Sequence, residues 1–126
     1  MLEAHAGADQ IGEQQPVASL AEVLAAQDAA HRVHTSAALR AYIVALLQRT
    51  RDDRRVLLGG SPRAGVLLLR AARARALVSG RDHVLPDDVQ ELAAGVLAHR
   101  IVIAPEALDV SGDLVVQDAL AATGAR

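Results

Sequence analysis

Apolar residues recur along this chain with the spacing of α-helices. Ser19 to Glu22 forms a capping box, so a first helix is predicted over about residues 20–31. One face of that helix carries Leu20, Val23, Leu24 and the aliphatic part of Gln27. Thr35 or Ser36 is a suitable cap for a second helix, which is predicted to run to about Arg51. The stripe of this second helix consists of Leu39, Tyr42, Ile43, Leu46, Leu47 and Thr50.

Three further helices are predicted in the second half of the chain. Ser61 followed by Pro62 is a strong helix start, and Gly80 is a suitable end for this third helix. Pro86 opens a fourth helix, and a last one covers about residues 113–122. The third helix buries a face formed by Gly65, Leu68, Leu69, Ala72 and Ala76, with Arg63, Arg70 and Arg73 opposite. The stripe of the fourth helix is Val89, Leu92, Ala93, Val96 and Leu97.

The remaining segments complete the predicted organisation. The β-branched run 101–103 is typical of a short strand, and 33–35 is the partner we expect for it. The fold class is therefore all-α: a small bundle of about five helices with one very short two-strand pairing. Residues 1–17 carry Gly and Pro without periodicity and are predicted to be a linker or disordered lead-in. The helical domain is expected over 18–122, followed by a tail over 123–126.

Composition supports helices and removes several classes of function. Alanine supplies 27 of the 126 residues, and Tyr42 is the single aromatic residue, which favours helices and argues against a base-stacking platform. Without cysteine, the chain has no disulfide, thiol nucleophile or zinc–cysteine site. All 13 basic residues are arginine, so a Walker A phosphate loop and a lysine Schiff base are excluded.

No targeting signal is predicted. The apolar runs are far shorter than the roughly 20 residues of a membrane helix, and the first residues include acids and lack the apolar core of a signal peptide. We therefore expect a cytoplasmic location and no association with a membrane.

Charge is distributed unevenly around a net value of −2. Eleven arginines lie within residues 31–81, whereas the segments before and after them are acidic. This pattern indicates either an anion site or an internal pairing of basic and acidic faces. Binding of nucleic acid is disfavoured, because Asp52 and Asp53 interrupt the basic segment and the total charge is acidic.

The most informative segment for function is Gly59 to Arg63. Arg63 is predicted at the second position of a helix, where the positive end of the helix dipole and unpaired backbone N–H groups both favour an anion. Arg54 and Arg55 lie just upstream and are expected to add to the field. The alternative is a solvated arginine near a cap, paired with one of the two aspartates at 52 and 53.

Other candidate sites are weaker. His31 and His34 have a spacing that can bind a metal, but no third ligand stands at motif spacing, so two surface or interface histidines are favoured and no metal site is predicted. Asp87 and Asp88 do not converge as an acid–base pair, because adjacent helical residues point about 100° apart. First-turn stabilisation of the helix dipole explains them better.

The order of these segments resembles the C-terminal helical lid of the MoxR family of AAA+ ATPases. Gly59 to Ala64 is similar to the second-sensor motif of that family, and residues 42–51 look like the lid helix that precedes it. The arginine- and alanine-rich run 70–77, the connector 80–89 and the segment 99–103 follow in the family's order. The resemblance covers about residues 17–122. Two departures are His83 in place of a tyrosine and Leu85 in place of a threonine cap.

The resemblance implies a lid without catalytic residues of its own, expected to act with an AAA+ core on the same chain. Arg63, with Ser61 and Pro62, would be the nucleotide-sensing group that couples ATP binding and hydrolysis to lid position, in cis or in trans. Tyr42 and Ile43 are candidates for contacts on the adenine side. ATP and Mg²⁺ would belong to the whole ATPase, and this chain alone is expected to bind neither.

The family also implies partners. Its members form hexameric, chaperone-like rings and work with proteins that carry a von Willebrand factor A domain, whereas the isolated lid is expected to be mainly monomeric. The alternative is a free-standing helical adaptor without a nucleotide role, whose basic face docks an acidic protein.

Overall fold

The fold is known from a computed structural model, which describes residues 15–107 and 109–124. Most of the predicted lead-in 1–17 and the last two residues of the predicted tail 123–126 lie outside this part of the chain. The elements are α1 (Leu20–Arg32), α2 (Ala37–Asp52), β1 (Val56–Leu58), α3 (Pro62–Val78), α4 (Pro86–Leu97), β2 (Val102–Ile103) and α5 (Gly112–Thr123). Two 3₁₀ turns, Ala98–Arg100 and Pro105–Ala107, flank β2. The all-α prediction is confirmed.

Serine side chains start four of the five helices. The hydroxyl of Ser19, Ser36, Ser61 or Ser111 accepts a hydrogen bond from the backbone N–H three residues later. Each such cap satisfies one N–H group that the helix cannot satisfy internally. The predicted starts after Ser19 and Ser61, and Ser36 as one of two predicted caps for the second helix, are therefore confirmed.

The core lies between α2, α3, α4 and α5. Helix α3 packs against α4, α2 and α1, and α5 closes the bundle against α2 and α4. The inner layer is made of small and branched aliphatic side chains, which allow close approach of the helices. Its fully buried members include Leu46, Leu68, Ala72, Ala76, Val89, Ala93, Leu97, Val115 and Val116.

The strand pairing differs from the expectation. Strand β2 pairs with β1 in antiparallel register, Val56 opposite Ile103 and Leu58 opposite Val102, and not with residues 33–35. The strand Val56–Leu58 was not predicted, because it has only three residues and follows a charged stretch. Residue His34 instead forms an isolated parallel bridge with His83.

Helix α1 is the least buried element. None of its residues is buried, and Leu20, Val23 and Leu24 are exposed. The helix itself is as predicted and packs against α3, but these three apolar side chains remain exposed. No helix that the structure describes is long and apolar enough to cross a membrane.

Candidate functional site

The segment from Gly59 to Arg63 is fixed to the end of α2. The Thr50 hydroxyl donates to the Leu47 carbonyl (Oγ1 to O, 2.7 Å) and accepts from the N–H of Gly60 (2.9 Å). Arg51 donates from Nε to the Gly60 carbonyl oxygen at 2.7 Å. Both backbone groups of Gly60 are thus held by side chains of α2, so the start of α3 cannot move independently of that helix.

Close approach requires both glycines of this segment. A Cβ on Gly59 would lie 2.7 Å from the backbone carbonyl oxygen of Thr50, and a Cβ on Gly60 would lie 2.6 Å from Cδ2 of Leu47. Carbon atoms do not normally come so near to other heavy atoms, so larger residues would push the two elements apart. The glycines therefore serve packing, and neither has a positive φ.

Helix α3 then begins as the sequence predicts. Ser61 is the N-cap, and its Oγ accepts from the Ala64 N–H at 3.2 Å. Pro62 occupies the first helical position, and Arg63 follows it on the first turn. Since Pro62 has no N–H and the Ala64 N–H is capped, the Arg63 N–H is the donor of this turn that has no partner among the described residues.

The Arg63 side chain is exposed, and it makes no hydrogen bond or ion pair with any residue that the structure describes. The alternative pairing with Asp52 or Asp53 is not observed. Asp53 instead accepts from Nε and Nη2 of Arg55, at 2.9 and 2.6 Å. A cation without a partner near the positive end of a helix slightly destabilises that helix. An anion bound between the cation and the helix end makes the interaction favourable.

Internal pairing accounts for other arginines. Arg55 also contacts Asp118 of α5 at 2.7 Å, so its charge does not add to the field at Arg63 as we expected from sequence. Hydrogen bonds from Arg55 lower the pKa of Asp53. Arg75 contacts Glu91 of α4. The internal-pairing interpretation therefore holds for part of the basic segment, and Arg63 lies outside it.

Asp88 is the centre of a second ion-pair cluster. It is 2 % exposed and accepts from both Nη atoms of Arg81, at 2.7 and 2.6 Å, and from the Leu85 N–H at 2.8 Å. Arg75 Nε lies 3.4 Å away. Hydrogen bonds from Arg81, together with the Leu85 N–H, lower the pKa of Asp88 despite its burial. From sequence, Asp88 was assigned only to the helix dipole. The cluster was not predicted, because an acidic residue in the first turn after Pro86 does not reveal its distant partners.

The two candidate adenine-side residues line different grooves. Ile43 lines a largely apolar groove of about 210 Å³ beside Pro62 and Gly65. The other lining residues are Arg40, Val44, Leu47, Val66 and Leu69. The Tyr42 side chain lines another groove, next to Val84 and Pro86, and its buried hydroxyl has no hydrogen-bond partner among the described residues.

The described histidines do not form a metal site. His31 and His34 are exposed, and no group of three or more metal-ligating side chains occurs within residues 15–107 and 109–124. His83 contacts Asp82 at 2.8 Å between Nδ1 and Oδ1, and His99 is exposed on a 3₁₀ turn.

The sequence analysis also missed the two α2 side chains that position the site. Thr50 was assigned to the apolar stripe, and Arg51 to the helix end. A hydroxyl in an otherwise aliphatic stripe was the available signal, because a buried hydroxyl requires a hydrogen-bond partner.

Comparisons with known proteins agree with this architecture. The profile of the AAA lid domain family matches residues 48–119. Chaperone MoxR1 of Mycobacterium tuberculosis is 35% identical over 115 residues, covering 82% of this chain and 30% of that protein. The YeaC protein of Bacillus subtilis, described as uncharacterized, is 40% identical over 98 residues, covering 73% of this chain and 31% of YeaC.

A crystal structure from Cytophaga hutchinsonii, described as a candidate ATPase, superposes with a TM-score of 0.80 at 31% identity. The match covers 85% of this chain and 36% of the other. The chain spans about a third of the length of its curated relatives. Because the family profile covers more than half of the chain and these relatives agree with it, the chain belongs to the AAA lid domain family, as the lid of a MoxR-like AAA+ ATPase.

Proposed function

We propose that Arg63 is the second-sensor arginine of this lid and that it contacts the γ-phosphate of ATP held by an AAA+ core. The observation that carries the proposal is the exposed guanidinium of Arg63, which has no partner among the described residues, on the first turn of a helix whose start is fixed. Guanidinium groups and free N–H groups at a helix N-terminus together suit a phosphate.

The anchoring of Gly60 supplies a route from phosphate contact to lid movement. A force on Arg63 acts on α3 and, through Thr50 and Arg51, on α2 as well. The first turn of α3 therefore moves with the bundle as one body. Loss of the γ-phosphate on hydrolysis would remove the contact and release the lid as a unit.

The groove beside Pro62 suits the base of the same nucleotide. Ile43 and Val66 give it an apolar surface, and it lies next to the helix start that carries Arg63. Since Tyr42 lines a different groove, we propose the adenine-side role for Ile43 rather than for Tyr42.

Assembly is proposed at the level of the whole ATPase. The core on the same chain would supply the phosphate loop and hold Mg²⁺, and neighbouring subunits would complete a chaperone-like ring. A partner with a von Willebrand factor A domain belongs to the same proposal, which the family resemblance alone supports.

The decisive experiment is steady-state ATP hydrolysis by the whole ATPase carrying Arg63→Ala. We expect turnover to fall at least tenfold, because the transition state loses a charge-assisted contact. Arg70→Ala is the matched control, since Arg70 is also exposed on α3 and lies two turns away. Turnover equal to that of the unmodified ATPase in the Arg63 variant would remove the second-sensor role and favour the adaptor alternative.

A second measurement asks whether the site is preformed in the lid. ATP is titrated into the isotope-labelled 126-residue chain, and amide shifts are followed. Weak shifts confined to residues 60–64, lost in Arg63→Ala, would mean that the lid alone recognises phosphate. No shift would mean that recognition needs the core, and shifts at every arginine would indicate unspecific attraction.

A further inference from the structure

A second basic cleft lies where α1 ends and α2 begins. It has a volume of about 500 Å³ and is lined by His31, Arg32, His34, Thr35, Arg40 and Arg73, with no carboxylate among its described lining residues. Arg63 is not part of this cleft. We call it the Thr35 cleft.

Two arginines converge on the threonine that gives the cleft its name. Arg40 donates from Nη1 to the Thr35 carbonyl oxygen at 2.6 Å and approaches Oγ1 at 3.4 Å. Arg73 reaches the same Oγ1 from α3, with Nη2 at 3.3 Å. The two guanidinium groups are therefore close neighbours that share one neutral acceptor.

Arg73 also carries an unsatisfied donor. Its Nε is buried and has no hydrogen-bond partner within the described part of the chain. Buried donors are rarely left unpaired, because each then loses its water without gaining a replacement. The described residues therefore satisfy the Arg73 guanidinium only in part, through the contact of Nη2 with Thr35 Oγ1.

Other arginines of the basic segment show what is unusual here. Arg55 and Arg81 each contact at least one carboxylate of the chain. By contrast, Arg40 and Arg73 have no carboxylate partner among the described residues, although two like charges that share one acceptor repel each other. An anion bound between them would remove this repulsion and satisfy the open donors.

The donors point to a phosphate rather than to a single carboxylate. Guanidinium groups from three helices (Arg32 of α1, Arg40 of α2 and Arg73 of α3), two imidazoles and the first turn of α2 line the cleft. A phosphate offers three or more acceptor oxygens in a tetrahedral arrangement, whereas a carboxylate offers two in one plane. We propose that the Thr35 cleft is a phosphate-binding site, independent of Arg63.

The test is an amide-shift titration of the labelled 126-residue chain with inorganic phosphate, at an ionic strength held constant with chloride. We expect saturable shifts at residues 35–39 and at Arg73, and at least tenfold weaker binding in Arg40→Gln and in Arg73→Gln. Arg100→Gln, which replaces an exposed arginine on a 3₁₀ turn, is the control and should bind phosphate as the unmodified chain does.

The two arginine variants give the test a result even if one of them does not fold. If Arg73→Gln fails to fold, Arg40→Gln decides alone, because Arg40 is exposed. A parallel titration with ATP identifies the source of the bound phosphate. If the cleft residues shift with ATP but not with inorganic phosphate, the ligand is the phosphate group of a nucleotide. If they shift with both, free phosphate is sufficient. Shifts that do not saturate, that chloride reproduces, or that persist in both Arg40 and Arg73 variants overturn the proposal.

Discussion

Asp88 is the residue on which the ion-pair cluster of the lid depends most. It is buried, it holds Arg81 by two hydrogen bonds, and it accepts from the N–H at the start of α4, where Leu85 has no capping side chain. Removing one partner of such a pair leaves the other charge without compensation. One carboxylate thus satisfies the N–H of the uncapped residue Leu85 and pairs with Arg81.

We predict that Asp88→Asn lowers the free energy of unfolding by about 2 kcal/mol, measured by urea denaturation at neutral pH. Asp87→Asn is the matched control, since Asp87 is exposed in the same turn, and it should change stability by less than about 0.5 kcal/mol. Equal effects of the two variants would contradict the role given to the buried cluster.

The pH dependence of the same pair follows from the lowered pKa of Asp88. An aspartate whose pKa is lower in the folded state stabilises the fold above the pKa of the unfolded chain, about 4, and this contribution is lost as the pH falls further. The stability difference between the unmodified chain and Asp88→Asn should therefore be constant from pH 5 to 7 and shrink below about pH 4. A stability difference that grows as the pH falls would contradict a lowered pKa of Asp88 in the folded state.

The roles of Ser61 and Arg63 at the start of α3 can be distinguished by measuring the stability of their variants. Ser61→Ala removes a capping hydrogen bond and is predicted to cost about 1 kcal/mol in thermal or urea unfolding. Arg63→Ala removes an exposed cation at the positive end of a helix, so stability should be unchanged or rise by a few tenths of a kcal/mol. A large loss in Arg63→Ala would show that its effect on hydrolysis is not specific.

At the scale of elements, the junction between α2 and α3 depends on a glycine that touches backbone. Gly59→Ala places a methyl group against the Thr50 carbonyl, which cannot rotate away as a side chain can. We predict a loss of about 2 kcal/mol and displaced amide shifts at residues 60–64. Gly95→Ala, in open space on α4, should instead stabilise the chain by about 0.5–1 kcal/mol through helix propensity. A Gly59 variant as stable as the unmodified chain would mean that the junction is not tightly packed.

Helices were predictable because each carries local information: a serine cap, a proline at the first position and a stripe at helical spacing. The β1–β2 pair was not, since three residues such as Val56–Leu58 have no periodicity and their partner lies more than 40 residues away. The contact of Arg55 with Asp118 spans 63 residues and was not predictable either, because it depends on how α5 returns to α2.

The candidate site divides in the same way. Arg63, Ser61 and Pro62 were visible because they form one short motif. Thr50 and Arg51 precede it and act across a turn, so their role depends on the fold. In the Thr35 cleft, Arg40 and Arg73 come together only when α1, α2 and α3 have packed. No spacing of residues along the chain predicts this cleft.

At the scale of the whole molecule, burial is unequal, and stability should be unequal with it. Helices α2 to α5 share one core, whereas α1 buries no residue and packs mainly on α3. Segments with few buried apolar contacts open without global unfolding. We predict that amides of α1 exchange with solvent at least tenfold faster than those at the centres of α2 and α3 in native-state hydrogen exchange. The start of α3, which carries Arg63, should keep its position during such opening, because Gly60 is hydrogen-bonded to α2. Amides of α1 that exchange together with those of α3 would instead make α1 part of the same cooperative unit, and the exposed Leu20, Val23 and Leu24 would then move with α3.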